Sequence, residues 1–474
     1  MKTLFAILDE GDDAHVAEIE LRLNAAGFRG RDTAVVLHFS RTPPVAGAHA
    51  PCGNTRLETI VSEGRLGYGE QVKLAFALAE RLSCDAVVTL DGKPRYPVEE
   101  IPTLLAPLTD GAALALAIPA GETKLVRAGS WLASRLINFL TSTRLSAWHT
   151  GFRAYRVTAL ARIPYAKNRD DREFNTEILI QLLIAGRDIA QVDVRNYPHA
   201  ALSFLAKCRF CMAMFQTAGL SLLHQCSLFY QPQFDLGEPL DAYGLKLGYR
   251  SSHTLTLATV PAGARVLDIG CGNGAFDRLL VERGCQVHGL DQHQAADIHG
   301  LDAYTRIDLD VRDHAFPVRG YDAILLLDIL EHLRYPENLL AYVRANSGPD
   351  KPDVLISVPN VAFFIIRLRL LCGSFQYGKL GILDLTHTRL YSEASIVSLL
   401  ERNGYAVQAV EGIPAPYPKA IGLGVVSRCL LTCNGWLIKC NRRVFAYQFF
   451  IHARPKPTLK DLLPEEAASP RALP

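Results

Sequence analysis

Short apolar runs alternate with amphipathic segments along the first 200 residues of the chain. Runs with almost no polar residue are typical of strands buried on both faces, and four of them predict such strands: Leu4–Leu8, Ala34–Phe39, Ala86–Leu90 and Ala112–Ile118. Helical spacing of apolar residues predicts helices at Val16–Ala26 and Gln71–Leu82. This alternation indicates an α/β domain.

A second α/β alternation runs from Arg265 to about Ala453. Between the two, residues 201–230 are apolar and predicted to be helical, and residues 231–250 contain the Pro and Gly typical of a junction. We therefore predict an N-terminal domain at 1–230, a linker at 231–250 and a C-terminal domain at 251–453. A Pro-rich, charged segment at 454–474 is expected to form a loose tail.

Composition narrows the class of protein. The 474 residues exceed the usual length of one domain, and 49% hydrophobic with 21% charged residues is ordinary for a globular chain. A net charge of +2 argues against nucleic-acid binding by charge alone. We expect no signal peptide, no transmembrane helix and a cytoplasmic location with reduced thiols for the 11 cysteines. Cys208 and Cys211 form a CxxC without a second pair, so no metal site is predicted.

Residues 266–274, VLDIGCGNG, form the strongest motif of the C-terminal half. An apolar strand ends in Asp268 and is followed by glycines at 270, 272 and 274, where a backbone can approach a ligand closely. The next strand, QVHGLD, ends in Asp291, 21 residues after Gly270, which is the spacing at which a carboxylate accepts both hydroxyl protons of a ribose. The GxGxG spacing favours a nucleoside without a phosphate to bind.

This half resembles the class I S-adenosylmethionine-dependent methyltransferases, which implies a Rossmann-like sheet and that cofactor. The resemblance places Asp268 on the glycine turn near the methionine amine, Asp291 on the ribose, and Asp308 of TRIDLD near the adenine. YDAILLLDILEHL at 321–333, which contains Asp328, resembles the fourth strand and its following turn. PDVLISVPN at 352–360 resembles the fifth strand, and LDLTHTRLYS at 383–392 resembles the branch that modifies small molecules and sugars.

Three residues are candidates for the proton acceptor in methyl transfer to a hydroxyl. Histidine titrates near neutrality, so we rank His387 and His332 first and Glu331 behind them. Each has an ordinary alternative role, as a capping histidine or as solvated loop residues.

Two segments of the C-terminal half, 361–382 and 413–443, are apolar with interspersed Arg and Lys. They are expected to leave the carboxyl edge of the sheet, where ligands bind. One hypothesis is an ordinary helical cap. The other is peripheral contact with a membrane, where a lipid-linked or anionic substrate would be received.

The N-terminal half resembles family-2 glycosyltransferases of the polyprenyl-phosphate sugar synthase type, which have a GT-A type sheet. The resemblance covers about 1–215 and rests on GYGEQVKLAFALAERLSCDAVVTLDGKPRYPVEEIP at 67–102, GFRAYR at 151–156 and EFNTEILIQLLIAGRDIAQVDVRNYP at 173–198. It implies sugar-nucleotide contacts for Asp91, Lys93, Arg153 and Glu177. Each also has an ordinary alternative: a strand-end acid, a turn lysine, a structural arginine and a helix-face glutamate.

The departures from that family concern acidic residues. The metal-binding D-x-D is Asp91-Gly92-Lys93 here, and AVVLHFSRT at 34–42 and SAWHT at 146–150 lack the acids of the family. A divalent cation in this half is therefore doubtful, and so is its transfer chemistry.

Three hypotheses for the whole chain follow. The first is a fusion in which a glycosyltransferase and a methyltransferase act in surface-glycan or lipid-linked saccharide synthesis, methylating a sugar hydroxyl. The second is a methyltransferase whose N-terminal domain only binds or docks a glycan or another small molecule. The third is an inactive membrane-peripheral scaffold, which a lack of affinity for S-adenosylhomocysteine would favour.

Overall fold

A computed structural model shows two compact units, Met1–His224 with Gln231–Glu238, and Gln225–Tyr230 with Pro239–Pro474. The structure describes residues 1–8, 13–28, 34–40, 56–62, 64–91, 96–119, 134–135, 137–138, 141, 143–146, 148, 150–195, 204–237, 245–294, 301–349 and 351–462. No described helix has the length and apolar character needed to cross a lipid bilayer.

The first unit is built on a seven-stranded sheet in the order β3-β2-β1-β4-β6-β5-β7. The strands are β1 Thr3–Leu8, β2 Ala34–Ser40, β3 Arg56–Val61, β4 Ala86–Asp91, β5 Leu114–Pro119, β6 Arg153–Arg156 and β7 Ile189–Val194. Only β6 runs antiparallel to its neighbours β4 and β5 in this sheet. Every residue of β1 is buried, as expected of a central strand covered on both faces.

Helices cover both faces of this sheet. They are α1 Asp13–Ala25, α2 Tyr68–Arg81, α3 Ile101–Thr109, α4 Val157–Leu160, α5 Phe174–Ile184 and α6 Phe204–Gln225. Phe76 of α2 and Ile178 of α5 pack in the core on one face, and Ile19 of α1 and Leu104 of α3 pack on the other. The four predicted strands and the two helices predicted from helical spacing agree with these bounds to within three residues, and the segment predicted to be helical at 201–230 contains α6.

The glycines that open α2 are explained by close backbone packing. A Cβ at Gly67 would collide with the carbonyl oxygen of Asp170, and one at Gly69 with that of Arg169. The Gly69 amide donates to the Asp170 carbonyl at 2.8 Å. This GxG therefore holds the helix against the segment before α5.

The second unit has its own seven-stranded sheet, in the order β10-β9-β8-β11-β12-β14-β13. The strands are β8 Arg265–Ile269, β9 Gln286–Asp291, β10 Ala303–Arg306, β11 Ala323–Leu327, β12 Asp353–Pro359, β13 Tyr405–Ile413 and β14 Gln448–Pro455. In this sheet β14 is antiparallel to β12 and β13, and the other pairs are parallel. The prediction of two α/β sheets is confirmed.

Helices cover both faces of this sheet as well. The helices are α7 Ser252–Thr259, α8 Asp277–Val281, α9 Pro336–Asn346, α10 Phe364–Leu371, α11 Glu393–Arg402, α12 Tyr417–Ile421, α13 Val425–Cys440, α14 Arg442–Phe445 and α15 Leu459–Leu462. Leu340 of α9 and Ile396 of α11 pack on one face, and Leu280 of α8 on the other.

The strand order creates a crevice between β8 and β11. The chain leaves β8 toward β9 and β10 on one side, and β11 and β12 lie on the other. Ligands of open α/β sheets bind at such a reversal, beyond the carboxyl ends of the strands. Register pairs Ile413 with Gln448 and Gln448 with Pro359, so β13 and β12 end at this same edge.

Candidate functional site

The turn after β8 has the backbone that its glycines allow. Gly270, Gly272 and Gly274 have φ of +91°, +58° and +72°, a region that residues with a Cβ rarely adopt. A Cβ at position 270 would also lie 2.9 Å from Cγ1 of Ile329, which follows β11. The turn is therefore held tightly against the loop at the end of β11.

Asp291 lies at the end of β9, directly beside the glycine turn. Its Oδ2 accepts a hydrogen bond from the Gly272 amide at 2.9 Å, and its Oδ1 accepts from the amide and Nδ1 of His293 at 3.2 and 2.5 Å. These contacts fix the carboxylate at the rim of the turn with 8% of its surface exposed. A ribose laid over the turn would meet this carboxylate.

Asp268 forms a buried carboxyl pair with Asp277, the first residue of α8. Burial, and then the neighbouring Asp277, raise the pKa of Asp268 well above its usual value. Burial also raises the pKa of Asp277 to about 6, although the neighbouring Asp268 carboxyl opposes the rise. The structure gives no hydrogen-bond partner to Oδ1 of Asp268. An orphaned acceptor in the crevice suits an ammonium ligand such as the methionine amine.

Asp308 lies beyond the end of the edge strand β10. That strand ends at Arg306, and the exposed Asp308 accepts a hydrogen bond from the Asp310 amide at 2.9 Å. The first two residues of TRIDLD thus belong to the strand, and its two aspartates follow it. A contact between Asp308 and an adenine stays a prediction.

Asp328 follows directly after β11, beside the crevice, and lines a pocket that is described below. Its backbone has φ of +55°, an unusual value for a residue with a Cβ. Oδ2 pairs with Nζ of Lys246 at 2.7 Å, and Oδ1 accepts from Ser357 Oγ at 2.6 Å and from Gln448 Nε2. Burial alone would raise the pKa of Asp328, but Lys246 and these hydrogen bonds outweigh it and lower the pKa. Asp328 is therefore a fixed negative charge.

A histidine next to this ion pair is held neutral. His253 Nδ1 accepts a hydrogen bond from the Lys246 amide at 3.1 Å, and its ring stacks on Phe276 at 4.4 Å. Burial, and then the charge of Lys246, lower the pKa of His253 to about 4. Phe276 follows the glycine turn directly, so this stack joins the turn to the Lys246–Asp328 pair.

The pocket lies within the second unit, at the carboxyl edge of its sheet. It is lined by Ser227, Lys246, Tyr249, Ser251, Asp328, Glu331, His332, Pro359, Leu380, Gly381, His387, Ile413, Pro414, Pro416, Lys419, Tyr447 and Gln448. The wall therefore includes all three candidate proton acceptors and residues of both apolar segments. The pocket thus brings together residues that lie far apart in the sequence.

Glu331, His332 and His387 converge in that wall. Their nearest ligand atoms all lie within 4.8 Å of one another, and the two imidazole rings meet edge to face at 4.8 Å between centroids. Nδ1 of His387 lies 3.0 Å from the Ile382 carbonyl oxygen. Because a carbonyl only accepts, Nδ1 carries the proton and Nε2 presents a lone pair. Burial first, and then His332, lower the pKa of His387, so its ring is neutral at pH 7.

Glu331 is a buried carboxyl without a hydrogen-bond partner at Oε2. Burial, and then Asp328, raise its pKa well above the usual value. Its backbone carbonyl accepts from the amides of Thr388 and Arg389 at 2.9 and 3.0 Å, which ties the 384–389 turn to the loop after β11. The ordinary alternative of a solvated loop glutamate does not describe this residue.

The N-terminal candidates have different surroundings. Arg153 is fully buried and donates to the carbonyl oxygens of Trp148, Thr150 and Asn175 at 3.0, 2.5 and 2.8 Å, which supports the structural alternative for this residue. The side chain of Asp91 and all of Lys93 lie outside the described residues; Asp91 itself ends β4, paired with Leu8 of β1.

Glu177 of α5 is buried, so it is not a solvated helix-face residue. Its carboxylate accepts from the Arg169 amide at 2.7 Å and lies 3.7 Å from Nε of Arg169. Burial raises its pKa to about 7, and the hydrogen bond from Arg169 lowers it in part. Sugar-nucleotide contacts of these residues stay predictions.

Sequence reasoning missed the partners of Asp328. Lys246 lies in the predicted linker, 82 residues before Asp328, and Gln448 lies 120 residues after it. Neither belongs to a motif. Only the fold brings them together.

The second unit is similar in sequence to known methyltransferases. Residues 244–410 match the family model described as a methyltransferase domain. The ubiquinone biosynthesis O-methyltransferase of Escherichia coli O127:H6 is 33% identical over 126 residues, 24% of this chain and 50% of that protein. That of Chromobacterium violaceum is 37% identical over 99 residues, 19% of this chain and 41% of that protein. The chain thus spans about half the length of the curated relatives it matches, or less.

Solved structures of two kinds are similar to this chain. A S-adenosylmethionine-dependent methyltransferase from Mesorhizobium loti has a TM-score of 0.30 at 20% identity, covering 46% of this chain and all of that one. Glucosyl-3-phosphoglycerate synthase from Mycobacterium tuberculosis, solved with uridine diphosphate, has a TM-score of 0.34 at 18% identity, covering 46% of this chain and 80% of that one. The family match supports a methyltransferase domain in the C-terminal region.

Proposed function

We propose that the second unit transfers a methyl group from S-adenosylmethionine to a hydroxyl oxygen of a sugar. The observation that supports this most is the continuity of the glycine turn, its adjacent Asp291 and the pocket that holds His387. The family match and the fit of these residues agree on S-adenosylmethionine as the cofactor. The relatives are named O-methyltransferases, which favours an oxygen acceptor.

Residues at the glycine turn bind the cofactor, and residues of the adjacent pocket act on the acceptor. Gly270, Gly272 and Gly274 let the backbone approach the cofactor, Asp291 accepts from its ribose, and Asp268 faces its amine. When bound, the cofactor supplies an electrophilic methyl group on a positively charged sulfur. In the pocket, when no metal ion is bound, the Nε2 lone pair of His387 accepts the proton of the acceptor hydroxyl, with His332 and Glu331 beside it.

For the first unit we propose transfer of a sugar from a nucleotide sugar. Its support is the sheet, in which β1 and β4 end side by side at a reversal of strand order that suits a ligand. The chain would then be bifunctional, in surface-glycan or lipid-linked saccharide synthesis. A unit that only docks the glycan is the alternative that the missing acids favour.

Cofactor binding tests the proposal. S-adenosylhomocysteine should bind the full chain in a calorimetric titration, and Asp291→Ala should weaken it about 10- to 100-fold, because two hydrogen bonds to a charged group are lost. Asp313→Asn, at an exposed acid of the same unit, is the matched control and should leave the affinity unchanged. Equal affinity of Asp291→Ala and the wild type would contradict the assigned cofactor site.

A further inference from the structure

Three side chains in the pocket form a set that metal ions bind. Glu331 offers a carboxylate oxygen, and His332 and His387 offer imidazole nitrogens, all within 4.8 Å of one another. Three ligands about 2.1 Å from one ion lie about 3.4–3.6 Å from one another in tetrahedral or trigonal geometry. The three ligand atoms would therefore have to close by up to about 1.4 Å, which rotation of the side chains can supply.

The second observation concerns the hydrogen bonds of the ligand atoms. Oε2 of Glu331 is buried and has no hydrogen-bond partner, which is costly unless a cation or a proton meets it. His387 already has the hydrogen bond typical of a metal ligand, since Nδ1 donates to the Ile382 carbonyl and Nε2 keeps its lone pair. The set thus includes one carboxyl oxygen without a hydrogen bond and one imidazole lone pair.

The loops that carry the three residues are fixed to each other. Besides the two amides that donate to the Glu331 carbonyl, Oγ1 of Thr388 donates to the Leu333 carbonyl at 2.9 Å. The turn before His387 is closed by Asp384, whose Oδ1 accepts from the amide and Oγ1 of Thr386, each at 2.8 Å. Because the loops are held before the ion arrives, only the side chains need to reorder on binding.

We propose that Glu331, His332 and His387 bind a divalent transition-metal ion in this pocket. Two imidazoles with one carboxylate select ions of the manganese-to-zinc series over Mg²⁺ and Ca²⁺, which prefer oxygen ligands alone. Three protein ligands leave coordination positions open toward the pocket. The role of the ion in catalysis rests on the proposed methyl transfer. Binding of the ion to these three residues does not depend on that proposal.

The ion would hold the acceptor hydroxyl. A hydroxyl bound at an open position of such an ion releases its proton to water at a lower pH than the free hydroxyl does. The three residues would then activate the acceptor oxygen through the ion. The sequence predicted these three residues only as alternative proton acceptors, because nothing in it shows that Glu331 and His387, 56 residues apart, lie side by side.

Binding of Mn²⁺ to the full chain, freed of metal with a chelator, tests the site by electron paramagnetic resonance of the free ion. Mn²⁺ is the probe because exposed thiols such as Cys429 and Cys433 would capture zinc. One Mn²⁺ per chain should bind, His387→Ala and His332→Ala should each weaken it about 100-fold, and excess Mg²⁺ should not displace it. Glu331→Gln should weaken it similarly.

The control is His452→Asn, at a histidine that pairs with Asp353 at the opposite edge of the sheet. It should bind Mn²⁺ as the wild type does. Affinity for S-adenosylhomocysteine, measured on each variant, shows that the domain is folded. No Mn²⁺ binding by the wild type, or full binding by His387→Ala, overturns the metal site while the cofactor titration stands. Mn²⁺ binding without S-adenosylhomocysteine binding would instead contradict the proposed function.

Discussion

Two residues at the crevice, Gly270 and Asp328, have backbone conformations that most residues rarely adopt. Gly270 has no side chain, and its space is taken by Ile329. Asp328 adopts a backbone conformation that strains most residues, and Lys246, Ser357 and Gln448 hold it there. Strain of this kind concentrates where a ligand must be met by a fixed group.

Gly270→Ala adds one methyl group and tests whether the turn requires a residue without a side chain. The Cβ would meet Ile329 and the positive φ would be strained, so we expect a loss of about 2–3 kcal/mol in the free energy of unfolding and weaker binding of S-adenosylhomocysteine. Urea denaturation and calorimetry measure the two effects.

Gly284→Ala is the matched control for that variant. Gly284 has φ of +80°, but nothing lies within 4 Å of an added Cβ. It should therefore lose only about 1 kcal/mol and keep its cofactor affinity. If both variants bind S-adenosylhomocysteine equally well, the close approach at Gly270 has no role in the cofactor site.

The elements most readily predicted are the buried strands. The apolar run Ala34–Phe39 became β2 Ala34–Ser40, because burial on both faces leaves a continuous apolar signal. The edge strand β3 Arg56–Val61 has no such run, since its residues are partly exposed. The last strand begins only at Gln448, because Arg442–Phe445 forms a turn of helix first.

Two helices of the apolar segments expose large side chains beside basic ones. Leu371 of α10 and Trp436 of α13 are 84% and 70% exposed, and Arg367 and Lys439 are exposed on the same helices. Exposed apolar groups next to cations suit the interface of an anionic bilayer. This arrangement supports the hypothesis of peripheral membrane contact.

Flotation with vesicles of phosphatidylglycerol and phosphatidylcholine measures that contact. The wild type should float with the vesicles, and the double variant Leu371→Ser with Trp436→Ser should have a membrane partition coefficient about 30-fold lower or more, since about 2–4 kcal/mol of apolar burial is lost. Leu21→Ser, at a residue 62% exposed in the first unit, should float as the wild type does. Wild-type protein that stays in the bottom fraction would remove the hypothesis.

At the scale of the whole molecule, motifs predicted both folds but only part of each site. The glycine turn and Asp291 could be found because they are local in sequence. Lys246 and Gln448 could not, because their contacts with Asp328 depend on how distant segments fold. Likewise, Arg153 lies in a matching motif, yet its guanidinium serves three backbone carbonyls.

Nucleotide binding distinguishes the two hypotheses for the first unit. Calorimetric titration of the full chain with UDP and GDP, each with and without Mn²⁺, should show binding of one nucleotide if this unit still accepts a nucleotide sugar. S-adenosylhomocysteine serves as the control for folded protein. If that ligand binds and neither nucleotide does, the first unit is a docking module.

Transfer of radiolabelled methyl groups from S-adenosylmethionine to a panel of sugars and lipid-linked saccharides tests the central claim most directly. The wild type should label an acceptor at a hydroxyl. His387→Ala should lose at least 100-fold in turnover while it binds S-adenosylhomocysteine unchanged, because His387 acts on the acceptor and not on the cofactor. His387→Ala that turns over an accepted substrate at the wild-type rate would contradict the account.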